Sequence, residues 1–285
     1  MIARLKADFP VSYLCDRLGV SRSAFYDWQA HTPTAASRRR DELTAQVITV
    51  FAASNNVAGY RKVAAGIRKT GTAVDRKTVA AIMSAHGLLS LAAGRNFRRT
   101  KRRQARVKDP SDLLLRQFES LDPGAIMVGD ITYVATAEGW LYVATVIDLA
   151  TRTVLGHATS RRQTADLIVR AMNQARQSGL IAPGSIFHSD HGVQYRSKRF
   201  ARYCGRHGIL RSMGDRMECW DNAVAESFFS KLKSERLDWL TFTSRHAATA
   251  EVNNNIEHYN NARLHQGLAY LTPREKLQEL QPVAA

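Results

Sequence analysis

From residue 125 onward the chain alternates in a way that few folds accommodate. The runs "AIMVGDITYVAT" and "WLYVATVIDLATRTVLGHATS" are rich in β-branched and aromatic residues, with turn signals at Glu138-Gly139 and near Ala150-Thr151. Runs of this kind joined by short turns read as three consecutive antiparallel strands. The pattern then changes. "TADLIVRAMNQARQSG" is an amphipathic helix with Leu167, Ile168 and Met172 on its inner side. After it come a short strand "SIFHSD", a helix "SKRFARYCGRHG" and a strand "ILRSM". In "CWDNAVAESFFSKLKSE" the residues Val224, Phe228 and Leu232 recur every four, the stripe of a packed helix, widened by Ala225 and Phe229. Three hairpin-linked strands followed by strand–helix alternation predict an α/β domain, a mixed sheet with helices on both faces.

The residues ahead of that sheet are helical and punctuated differently. In "VSYLCDRLGVSRSAFYDW", Leu14 and Leu18 mark a short helix, Gly19 breaks it and Ser21 can cap the next. Arg22, Ser23 and Tyr26 are then expected on the exposed side of the second helix, with Phe25 and Trp28 packed. The arrangement reads as a helix-turn-helix, whose second helix offers its first residues to the DNA major groove. A second pair follows. Val63 and Ile67 give one apolar face ended by Gly71; Asp75 caps a helix carrying Val79, Ile82 and Met83, closed at Gly87. Arg61, Lys62, Arg76 and Lys77 sit at helix starts, where cations oppose the dipole and are better placed for a phosphate partner.

Between these regions lies "RNFRRTKRRQARVK", residues 95–108, in which eight of fourteen residues are Arg or Lys and none is acidic. A block of this kind reads as a tether and marks a boundary near Asp109-Pro110. Arg98, Arg99, Lys101, Arg102 and Arg103 are its candidate DNA contacts. The expected organisation is a helix-turn-helix-like segment over 1–35, a second helical DNA-binding segment over 36–94, a basic linker over 95–110, and a sheet domain with a helical C-terminal extension over 111–280. The net charge of +16 and pI near 10.2 suit a polyanion partner, because cationic side chains replace the counterions condensed on phosphates. No 18-residue apolar stretch exists to span a bilayer, and "MIARLKADFPVSYL" lacks the apolar run of a signal peptide. Three scattered cysteines, Cys15, Cys204 and Cys219, fit a reducing compartment. The expectation is a cytoplasmic chain, associated with the nucleoid when bound to DNA, without a membrane partner.

Three acids stand out. Asp130 interrupts an apolar strand, with Val128 and Thr132 on its side, and a carboxylate there is costly unless paired or bound to a cation. Asp190 stands where a hydrophobic strand gives way to a polar, glycine-containing loop, the place where open α/β sheets put ligand-binding residues. Glu226 sits early on the helix of the apolar stripe. Oxygen ligands from separate elements suit a hard divalent cation such as Mg²⁺.

The segments "GDITYV", "HSDHGVQY" and "CWDNAVAESFFSKLKSE" resemble the catalytic core of the OrfB-type bacterial insertion-sequence transposases, relatives of the retroviral integrases. That family carries three acids with 35 residues between the last two, the number between Asp190 and Glu226 here. "HYNNARLHQGLAYLTPREKL" also resembles the family's C-terminal segment, so the likeness runs from the first helix pair to Leu277. A tryptophan common three residues before the first acid is Met127 here, and the His/Cys zinc module of the retroviral relatives is absent.

The resemblance implies a ribonuclease-H-like, five-stranded mixed sheet that gathers Asp130, Asp190 and Glu226 around two Mg²⁺ or Mn²⁺ ions. It implies a polynucleotidyl transferase that cuts and rejoins DNA at the ends of an insertion sequence, acting on element ends and target as an oligomer, with an upstream-frame product as a possible fusion partner. The alternative is a regulator that binds element ends without cutting, or a partner of a frameshift-fused full transposase. Lys233, two helical turns after Glu226, is the candidate grip on the DNA backbone. Asn222 and His188 are candidate supports for the acids.

Overall fold

The computed structural model describes residues 1–30, 34–91, 122–213 and 223–281. The chain divides into two compact units, 1–49 and 50–285. In the first, the helices α1 (Ile2–Leu5), α2 (Val11–Arg17) and α3 (Arg22–Ala30) close over a small core of Ile2, Leu14, Cys15 and Phe25. Gly19, at φ +64, takes the left-handed position that ends α2, and the Val20 N–H returns to the Cys15 carbonyl at 3.0 Å. The Ser21 hydroxyl accepts from the Ala24 N–H at 3.1 Å, capping α3 as its position predicts. Trp28 departs from expectation. It is 65% exposed, with its ring tilted against Phe25 at 6.1 Å between centroids, because the small core of Ile2, Leu14, Cys15 and Phe25 closes without it. The helix α4 (Ala35–Ala53) runs through the boundary between the units.

In the second unit, α5 (Tyr60–Lys69) and α6 (Arg76–Ala85) form the second helix pair. Val63 and Ile67 are buried on α5; Val79, Ile82 and Met83 are buried on α6. Asp75 caps α6 by accepting from the Lys77 N–H at 2.7 Å. The sheet follows as β1 (Ile126–Val134), β2 (Leu141–Asp148) and β3 (Val154–Ser160), then α7 (Ala165–Arg176), β4 (Ile186–Ser189), α8 (Lys198–Arg206), β5 (Leu210–Met213) and α9 (Ala223–Glu235). Its order is β3-β2-β1-β4-β5, with β1, β2 and β3 antiparallel and β4 and β5 parallel to β1. Hairpin turns permit the first three to be antiparallel, whereas the crossovers through α7 and α8 require parallel entry. The helices α10 (Arg245–Asn261) and α11 (Pro273–Leu280) complete the unit.

Strand alternation separates two cores. Val128, Val143 and Ile147 face α9 and α10, meeting Phe228, Leu232, Val252 and Ile256. Met127, Ala144 and Val146 face α7 and α8, meeting Leu167, Met172 and Phe200. Gly129 belongs to this second side. A Cβ there would lie 2.2 Å from Phe187 Cζ, so the glycine makes room for a ring across the sheet. Asp148 is a different kind of acid from those singled out above. Fully buried, it holds the β2–β3 turn by accepting from Gly124 N–H at 2.7 Å and from Thr151 N–H at 2.8 Å. Among the described residues no helix is long and apolar enough to cross a membrane.

Candidate active site

Parallel pairing explains the spacing of the first two acids. In β1 and β4, Ile126 pairs with Ile186 and Gly129 with Ser189, a constant offset of sixty residues. Asp130 and Asp190 are the next residues after the last pair, Asp190 at the point where β4 ends, and the two carboxyls are close enough for the charge of Asp190 to raise Asp130. Asp130 shares its face with Val128, which packs toward α9, so its carboxyl lies under the helix that carries Glu226 in its first turn. Three elements thus deliver three acids to the end of the sheet where β4 stops.

The electrostatics agree with that placement. The Asp130 carboxyl is pushed up to about 7, first by burial and then by the Asp190 charge, with Glu226 adding to the rise. The Ile131 N–H, donating to Asp130 Oδ1 at 2.7 Å, and the Lys233 ammonium pull the other way. Asp190 Oδ1 accepts from the Gly192 N–H at 2.9 Å, so the loop after β4 orients that carboxylate.

Lys233 projects into the same region. Its Nζ lies over the Tyr133 ring, 4.6 Å from the centroid, an attraction between cation and ring quadrupole that steers a flexible side chain. Burial lowers the ammonium below its ordinary range, while Asp238 and Asp130 act against that fall. His188 is buried on β4 with Nδ1 2.9 Å from the Ser212 hydroxyl on β5, a place that supports the strand leading to Asp190. Arg22 and Ser23 open α3 and are exposed. Asn222, Arg98, Arg99, Lys101, Arg102 and Arg103 lie outside the described residues.

Two further groups adjoin the acids and escaped the sequence analysis. Thr145 faces Asp130 directly across β1 and β2, and its buried hydroxyl has no hydrogen-bond partner among the described residues. Tyr195 is buried with an equally unpartnered hydroxyl, pushed well above the ordinary phenol range by burial and by the charges of Asp130 and Asp190. Neither residue type carries a signal in sequence; only the pairing of Thr145 with Asp130 could have pointed to one of them.

The donor set fits a hard divalent cation: three carboxylates from three elements, with orphaned hydroxyls beside them. Among the described residues no three His, Cys, Asp or Glu side chains stand close enough together to hold a metal ion as they are placed. Like charges repel, and a shared cation is what would draw these three together.

A protein of Escherichia coli K12, the transposase InsF for insertion sequence IS3A, is 34% identical over 96% of this chain and 96% of its own length. This chain belongs to the insertion-sequence transposase family. A Shigella sonnei relative, the uncharacterized 31 kDa protein of insertion element IS600, is 31% identical over 94% of this chain and 99% of its own length. The integrase core domain matches residues 121–219 and, in a second model, 207–273, and an HTH-like domain matches 38–96. As a transposase core, the sheet has the ribonuclease-H-like form of integrases. A chain of the simian T-cell lymphotropic virus intasome, solved by cryo-EM with PP2A regulatory subunit B56 gamma, superposes with a TM-score of 0.50 at 14% identity. It covers 78% of this chain and 72% of the viral structure's chain. The transposase sequence thus places Asp130, Asp190 and Glu226 within the span of the integrase core.

Proposed function

We propose that this transposase cuts DNA at the ends of its own insertion sequence and joins the released ends to target DNA, with Asp130, Asp190 and Glu226 as its catalytic acids. The observation that carries the reading is the gathering of the three at one end of the sheet, where burial first, and then the charges of Asp190 and Glu226, push Asp130 up to about 7. A carboxyl so disfavoured as an anion is suited to a cation partner rather than to solvent.

The reaction is a displacement at phosphorus. The oxygen of water, or of a DNA 3′-hydroxyl, forms the new P–O bond as the bond to the leaving 3′-oxygen breaks. Two Mg²⁺ or Mn²⁺ ions, held by Asp130, Asp190 and Glu226, would supply charge for the attacking and leaving oxygens. The chain's own part is placement. Backbone N–H groups of Ile131 and Gly192 orient two of the acids, and the sheet brings them close. Lys233, steered by Tyr133, stands beside Asp130 where an ammonium can grip a DNA phosphate as a point charge.

Recognition falls to the helical segments. Arg22 and Ser23 open an exposed helix suited to groove contact, and the basic block of Arg98, Arg99, Lys101, Arg102 and Arg103 suits the backbone. Joining two ends calls for at least two copies of the chain on double-stranded DNA, with the upstream-frame product as a further partner, in the cytoplasm where the DNA lies. The domain limits proposed are 1–35, 36–94, 95–110 and 111–280. The test is a labelled duplex bearing the element's end, incubated with Mg²⁺ or Mn²⁺. Nicking or joining should be lost in Glu226→Gln while DNA binding is kept. Binding without metal-dependent nicking by the unaltered chain would leave the regulator reading in place of this one.

A further inference from the structure

On the flank of α9 away from the acids, α5 and the segment after α10 bring four cations into mutual range: Lys62, Lys231, Arg152 and Arg263. Two carboxylates face them, and both are already engaged. Glu235 receives Arg263 through Nε at 2.8 Å and Nη2 at 2.6 Å, a bidentate pair that is nearly dry. Asp148 is held by the Gly124 and Thr151 N–H groups and the Thr151 hydroxyl. His258 and His265 complete the wall. Burial depresses both, and with the neighbouring cations it takes His265 down to about 3, so neither adds charge at neutral pH. Against the carboxylates named among the described residues, two positive charges are left over.

That surplus is placed where it costs most. Lys62 and Lys231 are half-buried, and burial, together with Arg263, takes Lys62 down to about 8. Arg152 Nη1 is buried with no hydrogen-bond partner among the described residues. Charges taken out of water are expensive unless matched, and neutral side chains of the same length would fill the space at no such cost. An external anion would relieve the excess. Geometry says which one. Ser227, Lys231 and Glu235 lie four apart on α9, on the flank turned away from Glu226 and Lys233, and Lys231 contacts the Ser227 hydroxyl. Lys231 stands about 7.5 Å along the helix axis from Glu226, five residues at 1.5 Å each.

We propose that Lys62 and Lys231, backed by the field of Arg152 and Arg263, form a second phosphate-binding site, which holds the DNA backbone on the flank of α9 away from the acids, at a distance from the cut. Arg263 is spent on Glu235, so the two lysines make the direct contacts. The site rests on the reading of DNA as substrate, and it gives the HTH-like region a role in strand positioning next to the core.

The experiment measures binding of the full chain to a labelled end duplex from about 50 to 200 mM salt. The comparison is between the unaltered chain, Lys62→Gln/Lys231→Gln, and Lys62→Arg/Lys231→Arg. Loss of a phosphate contact lowers the slope of log affinity against log salt by about 1. The glutamine pair should show that drop with an unchanged or higher unfolding midpoint, since repulsion has been removed, and the arginine pair should restore the slope. An unchanged slope in the glutamine pair, while the unaltered chain binds and cuts, overturns the site alone. A lower midpoint that accounts for the lost affinity also overturns it, because the lysines would then be structural. Failure of the unaltered chain to bind the duplex at all overturns the DNA reading itself, and the site with it.

Discussion

Replacing Asp130 by Asn should stabilise this protein in EDTA at alkaline pH. The carboxyl titrates near 7 in the folded chain against 3.8 for the ordinary group, burial being the largest cause and Asp190 the next. Because the folded value is the higher one, the folded state binds the proton more tightly. The favourable contribution is complete below about pH 4 and is lost as pH rises through about 7. At pH 8 the ionised carboxylate then costs about 4 kcal/mol, from roughly three pH units at about 1.4 kcal/mol each. Asp130 is partly open to solvent, and screening brings the expected gain to about 2–4 kcal/mol. Asparagine keeps the shape, and its oxygen can still accept from the Ile131 N–H. Urea unfolding followed by tryptophan fluorescence at pH 4 and pH 8 reads the difference directly. The Asn variant should gain at pH 8 and converge on the unaltered chain at pH 4. Mn²⁺ should shrink the difference, since a ligand at 100 times its Kd adds about 2.7 kcal/mol only where it binds. A less stable Asn variant at pH 8, or the same difference at both pH values, would refute the reasoning.

Other substitutions probe the frame around the acids. Arg263→Ala strands Glu235 in a nearly dry pair and should cost about 3–5 kcal/mol of unfolding free energy, with Glu235→Gln/Arg263→Met much less damaging, as denaturant curves would show. Gly129→Ala drives a methyl into the Phe187 ring and should cost about 1–3 kcal/mol; calorimetry would find the loss eased when Phe187→Leu is added. Tyr195→Phe removes a buried hydroxyl without a partner, so the unfolding midpoint in EDTA should hold or rise rather than fall, by up to about 1–3 kcal/mol.

Much of the sheet was legible in the sequence because strand signals are local. Alternating β-branched runs and their turns identify β1, β2 and β3 without help from distant residues, and the Ser21 and Asp75 caps mark helix starts within three residues. The nearness of Asp130 to Asp190 was latent in their spacing, since β1 and β4 pair at a sixty-residue offset from Ile126 to Gly129 and both acids come next in the chain. What stayed hidden depends on tertiary neighbours. Gly129 reads as space beside an acid, yet the space is taken by Phe187 from the other side of the sheet. Trp28 has the composition of a packing residue but belongs to a core too small to cover it. Lys62 reads as a cation at a helix start, suited to a phosphate partner, and nothing in the sequence shows that the fold sets it against Glu235 and Arg263, far along the chain. Apolar periodicity records which face is buried, and it carries no information about which charges that burial will bring together.

The central claim is that Asp130, Asp190 and Glu226 work as one catalytic centre. The measurement that tests it most directly is the rate of metal-dependent cleavage of the element's end by Asp130→Asn, Asp190→Asn, Glu226→Gln and Asp130→Asn/Glu226→Gln, each checked for retained DNA binding. Groups acting as a unit are not additive, so each single substitution should abolish as much activity as the pair. A single variant that keeps the unaltered rate, or losses that multiply in the pair, would contradict a shared centre.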